Sequence, residues 1–117
     1  MNKPVLAINS QVKQYVEVAH HPARQLVDAF TLEALVRLYG DGNYGAIISK
    51  RETAYEIGVG WRRNRQSSLQ WRSSRYCTSD SFPGFFEGLS GAWVHVAVVY
   101  ENGEVRAYRN GELYGAL

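Results

Sequence analysis

The chain has 117 residues, of which 45% are hydrophobic, 13% aromatic and 21% charged. That is enough for one domain, residues 1–117, with its own core, and too little for two; eight Tyr, four Phe and three Trp exclude a disordered chain. The net charge of +2 names no partner, but it is unevenly spread: residues 61–75 hold five arginines and no acid, while the remaining eight basic residues face eleven acids.

No apolar run reaches the length of a membrane span, so no membrane insertion is expected. The apolar run in residues 4–8 is too short for the core of a signal peptide, and as written the chain is expected to be cytoplasmic. Cys77 is the single cysteine, which excludes an intrachain disulfide and predicts an inert thiol.

Residues 15–18 (Tyr-Val-Glu-Val) begin a series of short alternating runs that predict strands. Residues 24–29 carry a helical temptation, and so do 30–39, since Leu, Glu, Ala and Arg are good helix formers. In 30–39, however, Thr31, Glu33 and Arg37 fall on one face and Leu32, Val36 and Leu38 on the other. The turn sequence Gly40-Asp41-Gly42-Asn43 that follows decides for a strand. Residues 44–50 and 53–60 give two further strands. Residues 67–90 read as irregular, with a loop over 78–84.

The last 25 residues carry the clearest pattern. Val94, Val96 and Val98 share one face of a run starting at Trp93, and the pairs Asn102-Gly103 and Asn110-Gly111 follow eight residues apart. Asn-Gly suits a type I′ turn, which needs positive φ at both central residues. The spacing therefore predicts a three-stranded antiparallel meander. About eight short strands in all predict an all-β fold, an antiparallel sandwich or jelly roll.

Four stretches together resemble the laminin-G-like jelly-roll domains of the concanavalin A-like lectin/glucanase superfamily. Tyr15-Val16-Glu17-Val18 is similar to an early family strand. Phe30-Thr31-Leu32-Glu33-Ala34 is similar to Phe-Thr-Ile-Glu-Ala, with Leu35 where a Trp usually follows. Ile47-Ile48-Ser49-Lys50 with Tyr55-Glu56-Ile57-Gly58 is similar to Leu-Ile-Ser-Lys…Tyr-x-Leu. Residues 93–98 and 108–113 are similar to Trp-His-His-Val-Ala-Val and Tyr-Val-Asn-Gly-Glu-Leu. Family domains usually continue past that last hairpin with a strand that closes a sheet. The resemblance therefore leaves either a closing strand supplied by residues 4–9 or a neighbouring subunit, or a reduced version of the domain, and an open edge favours a homo-oligomer.

The resemblance also frames the chemistry. Glycosidases of the superfamily carry Glu-x-Asp-x-x-Glu on one strand, which puts carboxylates on one face as nucleophile and acid. This sequence has no such run, so no enzyme is expected. Glu101 and Glu104 flank a turn and read as solvated, and Glu52 and Glu56 lie at a strand start. His20 and His21 read as loop residues and His95 as strand-packed, too few for a zinc site. No cofactor is expected. Calcium, which many similar domains bind, would fall to Asp41, Asn43 and Asp80, with Asp28, although the same residue types make turns.

The distinctive site candidate is the basic-aromatic segment: Trp61, Arg62, Arg63, Arg65, Trp71, Arg72, Arg75 and Tyr76. Arginine forks suit sulfate, phosphate or carboxylate, and flat rings suit sugars or bases. The same residues could equally be core tryptophans and surface arginines. The expected function is a non-catalytic binding module for carbohydrate, acidic glycans included. The alternatives are an assembly domain pairing through a sheet edge and a nucleic-acid binder using residues 61–75.

Overall fold

A computed structural model of the chain describes residues 29–39, 45–50, 55–60, 67–73, 76–77 and 81–117, together with Ala7, Val16 and Ala19. The strands are β1 (Ala29–Arg37), β2 (Gly45–Lys50), β3 (Tyr55–Val59), β4 (Leu69–Ser73), β5 (Tyr76–Cys77), β6 (Trp93–Glu101), β7 (Glu104–Arg109) and β8 (Glu112–Ala116). They form two antiparallel four-stranded sheets, ordered β1-β6-β7-β8 and β2-β3-β4-β5. Among the described residues there is no helix. The all-β expectation holds.

The meander forms as its Asn-Gly pairs require. Asn102 and Asn110 have φ of 51° and 50°, and Gly103 and Gly111 have φ of 79° and 83°, the mirror-image turn that matches strand twist. Strand β6 pairs with β7 from Val96 to Glu101, and β7 pairs with β8 with one irregularity between Ala107 and Tyr108. Glu101 and Glu104 are exposed and flank Arg106 at 3.1 and 3.6 Å. Residues 30–39 are strand rather than helix because β1 finds a nine-rung partner in β6, which outweighs their helical propensity.

The core lies between the sheets. Leu32 of β1, Val94, Val96 and Val98 of β6, and Val105 and Ala107 of β7 bury their side chains against Ile57 and Val59 of β3 and Leu69 and Trp71 of β4. An aromatic column crosses the interface. Phe30 lies 5.3 Å from Tyr55, 5.9 Å from Trp71 and 5.3 Å from Tyr100, and Trp71 stacks 6.1 Å from Tyr100 with ring planes 15° apart.

Two expectations need correction. Residues 69–73 are a strand, not irregular chain. Leu69 and Trp71 face the core, while Gln70 is buried on the opposite face, so a strand covered on both sides lost the polar alternation that marks half-exposed strands. Of the expected strand 15–18 only Val16 is described; it belongs to no strand and is 63% exposed. The turn at 40–43 and the temptation at 24–28 lie outside the described residues, and so does most of 4–9.

Residues 81–92 are a string of turns, yet they are tightly anchored. Phe82, Phe85 and Phe86 are buried in the core. Phe82 bridges Leu69, the Phe86 amide donates to the Ser67 carbonyl at 2.7 Å, and Ser81 Oγ accepts from the Trp71 amide at 2.8 Å. On the other sheet, Arg109 Nη1 donates to the Phe85 carbonyl at 3.1 Å, the Tyr114 hydroxyl donates to the Pro83 carbonyl, and the Gly91 amide donates to Leu38 at 2.7 Å. The segment thus straps both sheets together and delivers the chain to Trp93 in a fixed position.

Candidate functional site

Two members of the predicted basic-aromatic segment have described side chains, and neither is a free ligand contact. Trp71 is 1% exposed, and both Phe30 and Tyr100 pack on it. Its expected stacking role is corrected: the ring is core, because the alternation of β4 turns position 71 inward beside Leu69. Arg72 points to the opposite face of the same sheet. There its Nη1 lies 3.8 Å from Oε1 of Glu56, a residue only 6% exposed, directly across the β3–β4 ladder. Ser49 Oγ donates to Oε2 of the same carboxylate at 2.7 Å. Burial of a carboxylate is costly unless it is paired and hydrogen-bonded, and Glu56 has both. Arg72 therefore balances a charge inside the fold rather than adding to a basic stripe. Tyr76 pairs with Ser73, and Cys77 with Arg72, along the backbone.

Trp61, Arg62, Arg63, Arg65 and Arg75 lie outside the described residues, as do the calcium candidates Asp41, Asn43 and Asp80 with Asp28, and also His20 and His21. Among the described residues no three His, Cys, Asp or Glu side chains come together as a metal site. Among the same residues no helix is long and apolar enough to cross a membrane.

The structure assembles a different cluster, at the end of the β1–β6 ladder. Arg37 and Trp93 are the last paired residues, and Leu35 and His95 form the next outward-facing rung, beyond Val36 and Val94. Because Val94 and Val36 point into the core, Trp93, Arg37, Leu35 and His95 all project from the outer face. The Arg37 guanidinium carbon lies 5.0 Å from the Tyr39 ring centre and 5.8 Å from that of Trp93. Arg37 Nε donates to the Gly91 carbonyl at 2.9 Å. Tyr39 is 64% exposed, Leu35 62% and Trp93 46%.

Polar groups rim this patch. His95 Nε2 lies 3.7 Å from Oε2 of Glu33, and the backbone of His95 exchanges two 2.9 Å hydrogen bonds with Asn110, one to the side-chain Oδ1 and one from the amide. Instead of being packed away, His95 stands half-exposed on the outer face. The β7–β8 turn is thereby fixed beside the aromatic cluster. A sequence reading of pair contacts misses the cluster, since Arg37 and Trp93 lie far apart along the chain. The available signal was alternation alone, which places Arg37 and Trp93 on outward positions of their strands and Tyr39 two residues past the end of β1.

Two antiparallel sheets, one bearing an exposed aromatic patch, suit many all-β families. The sequence decides among them: the profile of the concanavalin A-like lectin/glucanases superfamily, in its laminin-G form, matches residues 9–117. The chain belongs to that superfamily. No curated protein and no solved structure matches it. Membership of the concanavalin A-like superfamily makes the chain a binding module in general terms. The superfamily's name spans lectins and glucanases. In this member the buried carboxylate Glu56 has both oxygens engaged, by Arg72 and by Ser49.

Proposed function

We propose that the chain is a non-catalytic module that binds glycans, and that the outer-face cluster of Trp93, Tyr39 and Arg37 is its contact surface. The observation that carries this reading is the exposure of two large rings held in place by a cation. Trp93 sits in a strand and is fixed by its ladder, and the Arg37 guanidinium spans the distance between the two rings. Rings that are rigid before binding lose little entropy when a sugar stacks on them. The half-exposed His95 and the adjacent Asn110 turn add hydrogen-bonding groups at the rim, the mixture of apolar surface and few polar groups that small-ligand sites use.

A glycan-array screen followed by titration of the best oligosaccharide tests this. Trp93→Ala is expected to weaken binding at least about tenfold, or about 1.4 kcal/mol, with little change in melting temperature because the ring is outside the core. Trp61→Ala serves as the comparison from the basic segment. Binding that is indifferent to Trp93→Ala and Tyr39→Ala contradicts the assignment. A chain that binds no glycan but forms a stable dimer supports the assembly reading instead, which the exposed Leu35 and Leu113 of the same sheet would then serve.

A further inference from the structure

We infer that the glycan bound at this surface is anionic, its carboxylate or sulfate oxygens held by Arg37; the inference rests on the glycan reading above. The described arginines differ in what their charge meets. Arg72 faces Glu56, and Arg106 lies between Glu101 and Glu104. Arg109 donates to the Phe85 carbonyl and packs against the rings of Phe85 and Tyr114, at 6.0 and 4.9 Å. Arg37, like Arg109, has no carboxylate partner among the described residues, but it is exposed where Arg109 is half-buried.

The way Arg37 is held decides which part of it is offered. Nε is occupied by the Gly91 carbonyl, and the group lies against the rings of Tyr39 and Trp93. The plane of the guanidinium is thus set by one hydrogen bond and two ring contacts. Neither Nη atom has a hydrogen-bond partner among the described residues, so the two remain as a fork. That fork matches two oxygens of a planar carboxylate, or two of a sulfate, and a charge-assisted pair of this kind is about twice as strong as a neutral hydrogen bond. Lysine could supply the charge but not the fork. A sugar stacked on Trp93 with an acidic substituent toward Arg37 would use both features at once, which a neutral sugar would not.

The test titrates the full chain with three oligosaccharides of equal length: a neutral galactan, an oligogalacturonate and a sulfated galactan. Wild type is expected to bind at least one acidic oligomer about tenfold more tightly than the neutral one. Preference for the uronate identifies a carboxylate, and preference for the sulfated oligomer identifies a sulfate. Arg37→Gln is expected to abolish the preference, weakening the acidic oligomers by about tenfold more than the neutral one, and Arg37→Lys is expected to restore only part of it. High salt should erode the acidic preference and spare neutral binding. If Trp93→Ala weakens every oligomer but Arg37→Gln changes none selectively, the anionic assignment is wrong and the glycan reading survives. If neither substitution changes any binding, both are wrong. Arg37-dependent binding of a single-stranded oligonucleotide at equal strength also overturns the assignment, since recognition would then follow charge alone.

Discussion

Replacing Trp71 by alanine is expected to lower the stability of the domain by about 3–5 kcal/mol, the cost of deleting a buried large aromatic side chain and leaving a cavity. The ring is the meeting point of the two sheets. It stacks on Tyr100 of β6, touches Phe30 of β1, and its strand is clamped by Ser81, whose Oγ accepts from the Trp71 amide and donates to the Trp71 carbonyl at 2.8 and 3.3 Å. Aromatic pairs add about 0.5–1.5 kcal/mol beyond their buried area, so the rings of Phe30 and Tyr100 would lose packing too. Urea denaturation followed by circular dichroism measures the change. A loss below about 1 kcal/mol would return Trp71 to the surface role that its neighbours in sequence suggested. If the substituted protein is folded under binding conditions, its glycan affinity is expected to match that of wild type, because no face of the ring is open to a ligand.

Gly58→Ala is expected to cost about 3 kcal/mol, toward the upper end of the range for overpacking a close contact. Gly58 sits on β3 opposite Ala46, next to the irregularity between Ala46 and Ile48 in β2. A Cβ added there would meet the Gly45 carbonyl oxygen at 2.5 Å and the Gly45 carbon at 3.2 Å. Both are backbone atoms, so no rotamer change can relieve the overlap, and β2 would have to move away from β3. Gly115 is the contrast: a Cβ there would meet the nearest atom, on the Phe82 ring, at 3.4 Å, an ordinary contact. Gly115→Ala is accordingly expected to leave the urea midpoint nearly unchanged. Equal midpoints for the two substitutions would show that β2 is not held as closely to β3 as described.

Legibility in the sequence followed how locally each feature is determined. The meander was readable because each Asn-Gly pair dictates its turn within two residues, and the strand faces of β1 and β6 followed from simple alternation. Strand β4 escaped notice because Leu69-Gln70-Trp71-Arg72-Ser73 lies among serines and is buried on both faces over most of its length. A buried Gln and a paired Arg there look, in sequence, like surface residues. The pairing of Arg72 with Glu56 depends on the β3–β4 register, which no local pattern specifies. The same holds for the outer-face cluster: the outward direction of Arg37 and Trp93 was legible, but their adjacency needed the β1–β6 pairing. The basic segment drew attention by composition, and composition does not distinguish an arginine that binds a ligand from one that balances a buried carboxylate.

The placement of the binding surface is tested most directly by the three tryptophan indole signals in a ¹H–¹⁵N spectrum during titration with the best glycan from the screen. Trp61, Trp71 and Trp93 are the three tryptophans, and Trp93→Phe assigns its own signal by removal. The Trp93 indole is expected to shift progressively with glycan while that of Trp71 stays in place. A Trp93 signal that does not move at saturation, with Trp61 shifting instead, would contradict the account and return the site to the basic segment.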